Sequence, residues 1–175
     1  MHIFGLQIDL ENRRAIVLEG ADIVRTFTTV QDVANVAVEA IDYDGEWPEI
    51  GGINGSTIAE SDLLKLVQSI RGKIWTCKRT EHTLTLRAGP IEVEKVSKDD
   101  ILAGKLNTSW VPIISHPSIP PEQRTPEFSR VITASFISTG LQGAWIVSDE
   151  WNKLLPHLKL TTIEDFLHKY WDGKP

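Results

Sequence analysis

The chain has 175 residues, 41% apolar and 24% charged, the length and make-up of one folded domain with a real core. Its net charge of −6 repels phosphate backbones, and the densest basic run, residues 73–79, sets only Lys78 and Arg79 side by side, so nucleic acid is disfavoured as a partner. No apolar run approaches the ~20 residues of a membrane helix, no secretory signal pattern opens the chain, and the single cysteine, Cys77, fits a reducing compartment, so a cytoplasmic protein is expected.

Residues 14–18 (RAIVL), β-branched and closed by Glu19-Gly20, predict a short buried strand, and residues 24–28 predict a second extended stretch. Thr29 and Asp32 have the spacing of a capping box and open a helix whose Val33, Ala34, Ala37, Val38 and Ile41 fall on one face, which should be buried. Residues 48–53 read as a strand, with glycines that imply close approach of neighbouring backbone. A helix over residues 60–71 carries Leu63, Leu64, Leu66, Val67 and Ile70, with Gly72 as its C-terminal cap. Residues 91–96 alternate like a half-exposed strand, and Ser97 with Asp100 caps a short helix. Four prolines between residues 107 and 121 force a loop over the surface or around a cleft. Pro126 starts a helix backed by Phe128, Val131, Ile132 and Phe136, and Thr161 with Glu164 caps the last one, whose stripe is Ile163, Phe166, Leu167, Tyr170 and Trp171. The expected architecture is mixed α/β, with a few short strands and five or six helices.

Chemistry-bearing patterns are sparse. Gly51, Gly52 and Gly55 are the only glycine cluster, and their spacing is wrong for a dinucleotide loop, which needs glycines where backbone meets pyrophosphate at a helix start. Tyr170 and Lys174 match the Tyr-x-x-x-Lys dyad, in which an ammonium lowers a phenol pKa. Here Gly173 ends the helix and Tyr170 lies on the apolar stripe, so a core tyrosine beside a frayed terminus is the better reading. His2, His82, His116, His157 and His168 have no zinc-ligand spacing. No catalytic residue, cofactor-binding residue or metal ligand emerges. Trp145, Trp151 and Trp171 read as core on helix faces, Trp47 adjoins a turn, and Trp110 alone combines a loop with a plausible pocket.

The pieces FTTVQDVANVAVEAID (27–42), EWPEIGGINGSTI (46–58), LNTSWVPIISHPSIPPEQ (106–123) and SDEWNKLLPHLKLTTIEDFLHKYW (148–171), in this order, resemble fungal NmrA-like and isoflavone-reductase-like proteins of the atypical short-chain dehydrogenases. The likeness covers most of the chain outside residues 73–89. It implies the C-terminal, substrate-shaping half of a Rossmann-like NADP(H)-dependent oxidoreductase of small metabolites, whose nucleotide-binding half lies outside these residues. NADP(H) is then the cofactor of the whole, and none is expected to bind this chain alone. The proline-rich loop would border the substrate cleft, with Trp110 and His116 as candidate substrate-binding residues; the other reading of His116 is a solvent-facing loop histidine. Two further readings stand beside this one: a non-catalytic regulator whose acidic surface suits a basic protein partner, and a truncated product. Residues 73–89 (KIWTCKRTEHTLTLRAG) interrupt the familiar order. Codons for Gly72-Lys73 can spell an intron donor, so the segment reads as a retained intron, in a gene model that also starts at an internal methionine, or as a true β-hairpin.

Overall fold

The computed structural model describes residues 7–71, 75–79, 82–86 and 89–174, with backbone pairing alone for 75–79 and 82–86. In chain order the elements are β1 (Ile8–Asp9), β2 (Arg14–Leu18), β3 (Val24–Phe27), α1 (Val30–Ile41), β4 (Ser56–Ala59), α2 (Glu60–Arg71), β5 (Trp75–Arg79), β6 (His82–Leu86), β7 (Glu92–Val96), α3 (Lys98–Leu102), α4 (Pro126–Leu141), α5 (Glu150–Leu154) and α6 (Ile163–Trp171). The fold is mixed α/β, with six α-helices and short strands among the described residues.

β2 organises the centre. It pairs antiparallel with β1 and parallel with β7, and its side chains alternate between two cores, as a strand covered on both faces must. Ala15 joins Leu63, Val67 and Ile70 of α2 and Ile163 and Leu167 of α6. Ile16 and Leu18 join Ile101 of α3 and Ala134 and Ile137 of α4. Helices therefore cover both faces of the small sheet. A third cluster, Val36 and Ala40 of α1 with Trp151 and Leu155, lies apart from it. β3 and β4 form a separate antiparallel pair, and β5 and β6 another, in register from Trp75–Leu86 to Arg79–His82. Within 73–89 the described backbone is thus this antiparallel strand pair; Gly72, expected to cap α2, lies outside the described residues, as do the side chains of Trp75, Cys77 and His82.

Local signals are realised closely at the helix starts. The Thr29 hydroxyl accepts the Asp32 N–H at 3.0 Å, Ser97 accepts from Asp100, and Pro126 sits at the first position of α4 behind Thr125. Four expectations are corrected. Residues 48–53 form no strand, because the backbone groups of Gly52 are taken by the first turn of α5: Gly52 N–H donates to Glu150, and Gly52 carbonyl accepts from Trp151 N–H. The cap of α6 is Thr162, which accepts from Asp165 N–H at 3.1 Å, while Thr161 bonds elsewhere. On α4 the buried stripe is Ser129, Thr133, Ala134, Ile137 and Gly140, with Val131 exposed. These small residues let the helix approach closely; a Cβ on Gly140 would lie 2.9 Å from Ile23 Cγ2.

The fourth correction is the largest. On α1 the side buried is Asp32, Val36 and Ala40, whereas Val30, Val33, Val38 and Ile41 are exposed, Val30 by 74% and Ile41 by 78%. At 100° per residue, Val33, Ala37, Val30, Ile41, Ala34 and Val38 share one continuous stripe. That stripe is turned to solvent because Trp151 and Leu155 hold the adjacent edge, and Asp32 anchors the helix start from the same side.

Candidate functional site

The proline-rich loop is fastened rather than open. Arg130 on α4 donates through one nitrogen to the carbonyls of Leu106 and Thr108 and to the Thr108 hydroxyl, at 3.0–3.1 Å. Ser129 Oγ, fully buried, accepts Ile114 N–H at 3.1 Å. Glu94 of β7 accepts both the N–H and the hydroxyl of Ser109. These bonds satisfy loop backbone groups that no ladder reaches, and they fix where Trp110 and His116 stand.

Trp110 is half-buried and packs on the core formed by Ile16, Leu18 and Ala134. Its ring is already covered: the Arg14 guanidinium lies 4.2 Å from the ring centroid, and Arg14 Nε donates to Asp9 at 3.0 Å. Such a cation–π stack holds the indole as a wall at the start of β2. His116 is exposed and bonded within its own turn, its Nδ1 meeting Ser118 Oγ at 2.5 Å and accepting Ser118 N–H at 3.2 Å. Accepting that N–H leaves the neutral ring proton on Nε2. The loop places both residues, but Trp110 faces the core while His116 faces solvent.

A cleft of about 200 Å³ lies elsewhere, between Ala21–Val24 and the end of α4, lined also by Leu141, Gly143 and Ile146. It is below the ~300–1,000 Å³ of ordinary ligand pockets. Its one carboxylate, Asp22, is engaged by Ser61, whose hydroxyl and N–H donate to it at 2.7 and 2.9 Å. The hydroxyl first and then the N–H hold the Asp22 carboxyl below its ordinary range. The cleft can seat a small apolar group; it offers no free charge for one.

Sequence reasoning missed a buried polar node that joins β3 to the start of α2. Arg25, Glu60 and Gln7 are all buried. Arg25 donates to Glu60 Oε1 at 2.9 Å and to Gln7 Oε1, and Gln7 Nε2 donates to Glu60 and to the Ile16 carbonyl. Arg25 also lies 5.2 Å from the Phe136 ring centroid. Burial raises the Glu60 carboxyl above its ordinary range, against the lowering pull of Arg25. The available signal was a lone arginine in the apolar strand VRTF, but its partner is 35 residues away.

In the glycine cluster, three backbone N–H groups of residues 51–55 are engaged by side chains. Gly52 N–H is given to Glu150, Asn54 N–H to Asn152 and Gly55 N–H to Thr28 Oγ1. Amides already spent on side chains cannot form an anion nest. Close approach of neighbouring backbone, expected at the glycines of residues 48–53, is found at Gly52, where a Cβ would collide with the Ser148 carbonyl; one on Gly51 would meet a side chain, 2.5 Å from Trp151 Nε1, and one on Gly55 would stand 2.6 Å from the Phe27 carbonyl.

Other sites resolve simply. Tyr170 is 39% exposed and stacks on Phe166, with Lys169 over its ring rather than Lys174; the helix ends before Gly173, whose φ is +79°. The reading of Tyr170 as core is corrected accordingly. Trp151 is buried as expected, whereas Trp145 is partly exposed in the turn after α4 and donates to the Phe136 carbonyl. Among the described residues no group of three or more His, Cys, Asp or Glu side chains is placed to hold a metal ion, and no helix is long and apolar enough to cross a membrane. No family model matches the chain, and no match is found among curated proteins or solved structures.

Proposed function

We propose that the chain is the substrate-shaping portion of an NADP(H)-dependent, isoflavone-reductase-like oxidoreductase of small metabolites, and that it works only against a nucleotide-binding portion. The observation that carries this reading is the solvent-facing apolar stripe of α1, the side of a helix that ordinarily faces a core. The occupied amides at residues 52–55 support placing the cofactor on the other portion. The Rossmann-like relationship enters through the resemblance of the four ordered segments. Helices on both faces of the parallel β2–β7 pair are compatible with it.

The test has two arms. Titration of the purified chain with NADPH, read by tryptophan fluorescence, should show no binding tighter than millimolar. Fusion to the nucleotide-binding half of an isoflavone-reductase-like protein should restore NADPH binding and give substrate-dependent NADPH oxidation. Tight NADPH binding by the chain alone overturns the reading. The regulatory alternative shares the need for a partner and differs in outcome: the fusion would bind NADPH yet oxidise none of it.

A further inference from the structure

The stripe on α1 has a distinctive electrostatic setting. From residue 26 to residue 64 the chain contains no Lys, Arg or His and eight Asp or Glu, although the net charge of the whole is only −6. Three of these carboxylates are engaged: Asp32 accepting from Thr29 and Thr161, Glu60 with Arg25 and Asp62 with Lys65. The remainder, Glu39, Asp42, Asp44, Glu46 and Glu49, are exposed and follow one another around the C-terminal end of α1; among the described residues the one ion pair they make is Glu39 with His157. The helix dipole adds negative potential at that same end. Trp47 and Ile50, between these carboxylates, are exposed by 59% and 69%.

We infer that this face is a docking surface for a protein partner presenting an apolar ridge flanked by lysine or arginine. Burying the Val30–Ile41 stripe supplies the favourable contact, while the acidic collar selects the sign of the rim and steers the approach. Other occupants bring the wrong charge. A second copy carries the same collar, and anionic lipid or nucleic acid would be repelled. The inference rests on the reading of the chain as one member of a two-part machine, and it adds the chemistry of the other member's contact surface.

A synthetic helical peptide with leucines on one face and lysines flanking them is the probe, its binding to the full chain read by fluorescence anisotropy. The same peptide with glutamates for lysines is its partner probe. Lysine-peptide binding is expected, weakening about tenfold or more at ~1 M salt, where exposed charges are screened beyond ~3 Å. Ile41→Gln and Val38→Gln should each weaken it about tenfold, from lost apolar burial. A combined Asp42→Asn, Asp44→Asn, Glu46→Gln, Glu49→Gln chain should lose the salt dependence. These positions are exposed, so circular dichroism should show each variant folded. Equal binding of the glutamate peptide, unchanged binding by the variants, or a chain dimer that Ile41→Gln dissociates overturns the inference. Hydride chemistry plays no part here, so a failed reconstitution and a failed docking surface are read separately.

Discussion

Thr161 donates its backbone N–H to the carboxylate of Asp32 at 2.9 Å, across 129 residues of sequence. The same carboxylate accepts the Thr29 hydroxyl at 2.8 Å while the Asp32 N–H returns to that hydroxyl, so one buried side chain closes the cap of α1 and ties it to the approach of α6. Asp32→Ala leaves the part-buried Thr161 N–H without its acceptor and removes the cap's return bond, and should cost about 1–2 kcal/mol. Asp32→Asn keeps one acceptor oxygen and should cost less. Urea unfolding of the three proteins side by side measures the order, and an alanine variant as stable as the parent would remove Asp32 from this role.

The Arg25–Glu60 pair predicts a pH dependence. Burial raises the folded-state pKa of Glu60 above its ordinary value, so the folded protein binds this proton more readily than the unfolded chain. The contribution of Glu60 is therefore fully present below its unfolded pKa and is lost as pH rises through the folded value. Compared with Glu60→Gln, the parent should lose stability across the range from just above the ordinary carboxyl pKa upward. Parallel stability–pH curves for the two would show that Glu60 does not titrate abnormally.

Removing the cation instead should be severe. Arg25→Met strands a carboxylate inside the protein, a loss of about 3–5 kcal/mol at neutral pH, partly recovered on acidification as Glu60 takes up a proton. Thermal melts at neutral and mildly acidic pH test both parts.

Gly55→Ala forces a methyl to 2.6 Å from the Phe27 carbonyl and 3.1 Å from that of Thr161. Backbone on both sides has to yield, so overpacking should cost about 1–3 kcal/mol. A substituted chain with an unchanged melting temperature would show that the backbone at Phe27 and Thr161 yields freely.

Trp110 and His116 are separable by the same measurement. Trp110→Ala removes a ring sandwiched between Arg14 and the core and should destabilise by about 3 kcal/mol or more. His116→Ala removes an exposed side chain bonded only within its turn, and should stay within about 0.5 kcal/mol. If His116→Ala nevertheless reduced turnover of the reconstituted protein, its exposure would be serving substrate.

Local signals were legible wherever a side chain answers to its own backbone. Thr29 with Asp32, Ser97 with Asp100 and the bounds of α2 follow from neighbours three or four residues apart. Two threonines in a row defeated the same logic at α6. Thr161 and Thr162 both have an acid three residues on, and the distant Asp32 claims Thr161, leaving the cap to Thr162. Residues 48–53 look extended in sequence, but their amides answer to Glu150 and Trp151, about a hundred positions away. On α1 the periodicity predicted an apolar face correctly as a pattern, but that pattern holds no information about which edge Trp151 would occupy. The Arg25–Glu60 node was invisible for a related reason: a salt bridge between residues 35 positions apart, with a helix and a strand between them, has no local spacing.

The parallel pairing of β2 with β7 also governs how the molecule is made. Leu18 ends the first strand and Glu92 begins the second, so the central ladder closes a long loop whose entropy must be met before any of its bonds form. During synthesis Ile16 and Leu18 emerge well before Val96 and the helices that cover them. The nascent chain therefore carries an uncovered apolar strand through much of its translation, and its folding rate should respond most to substitutions in β7 rather than to those in the early, self-capped helix α1.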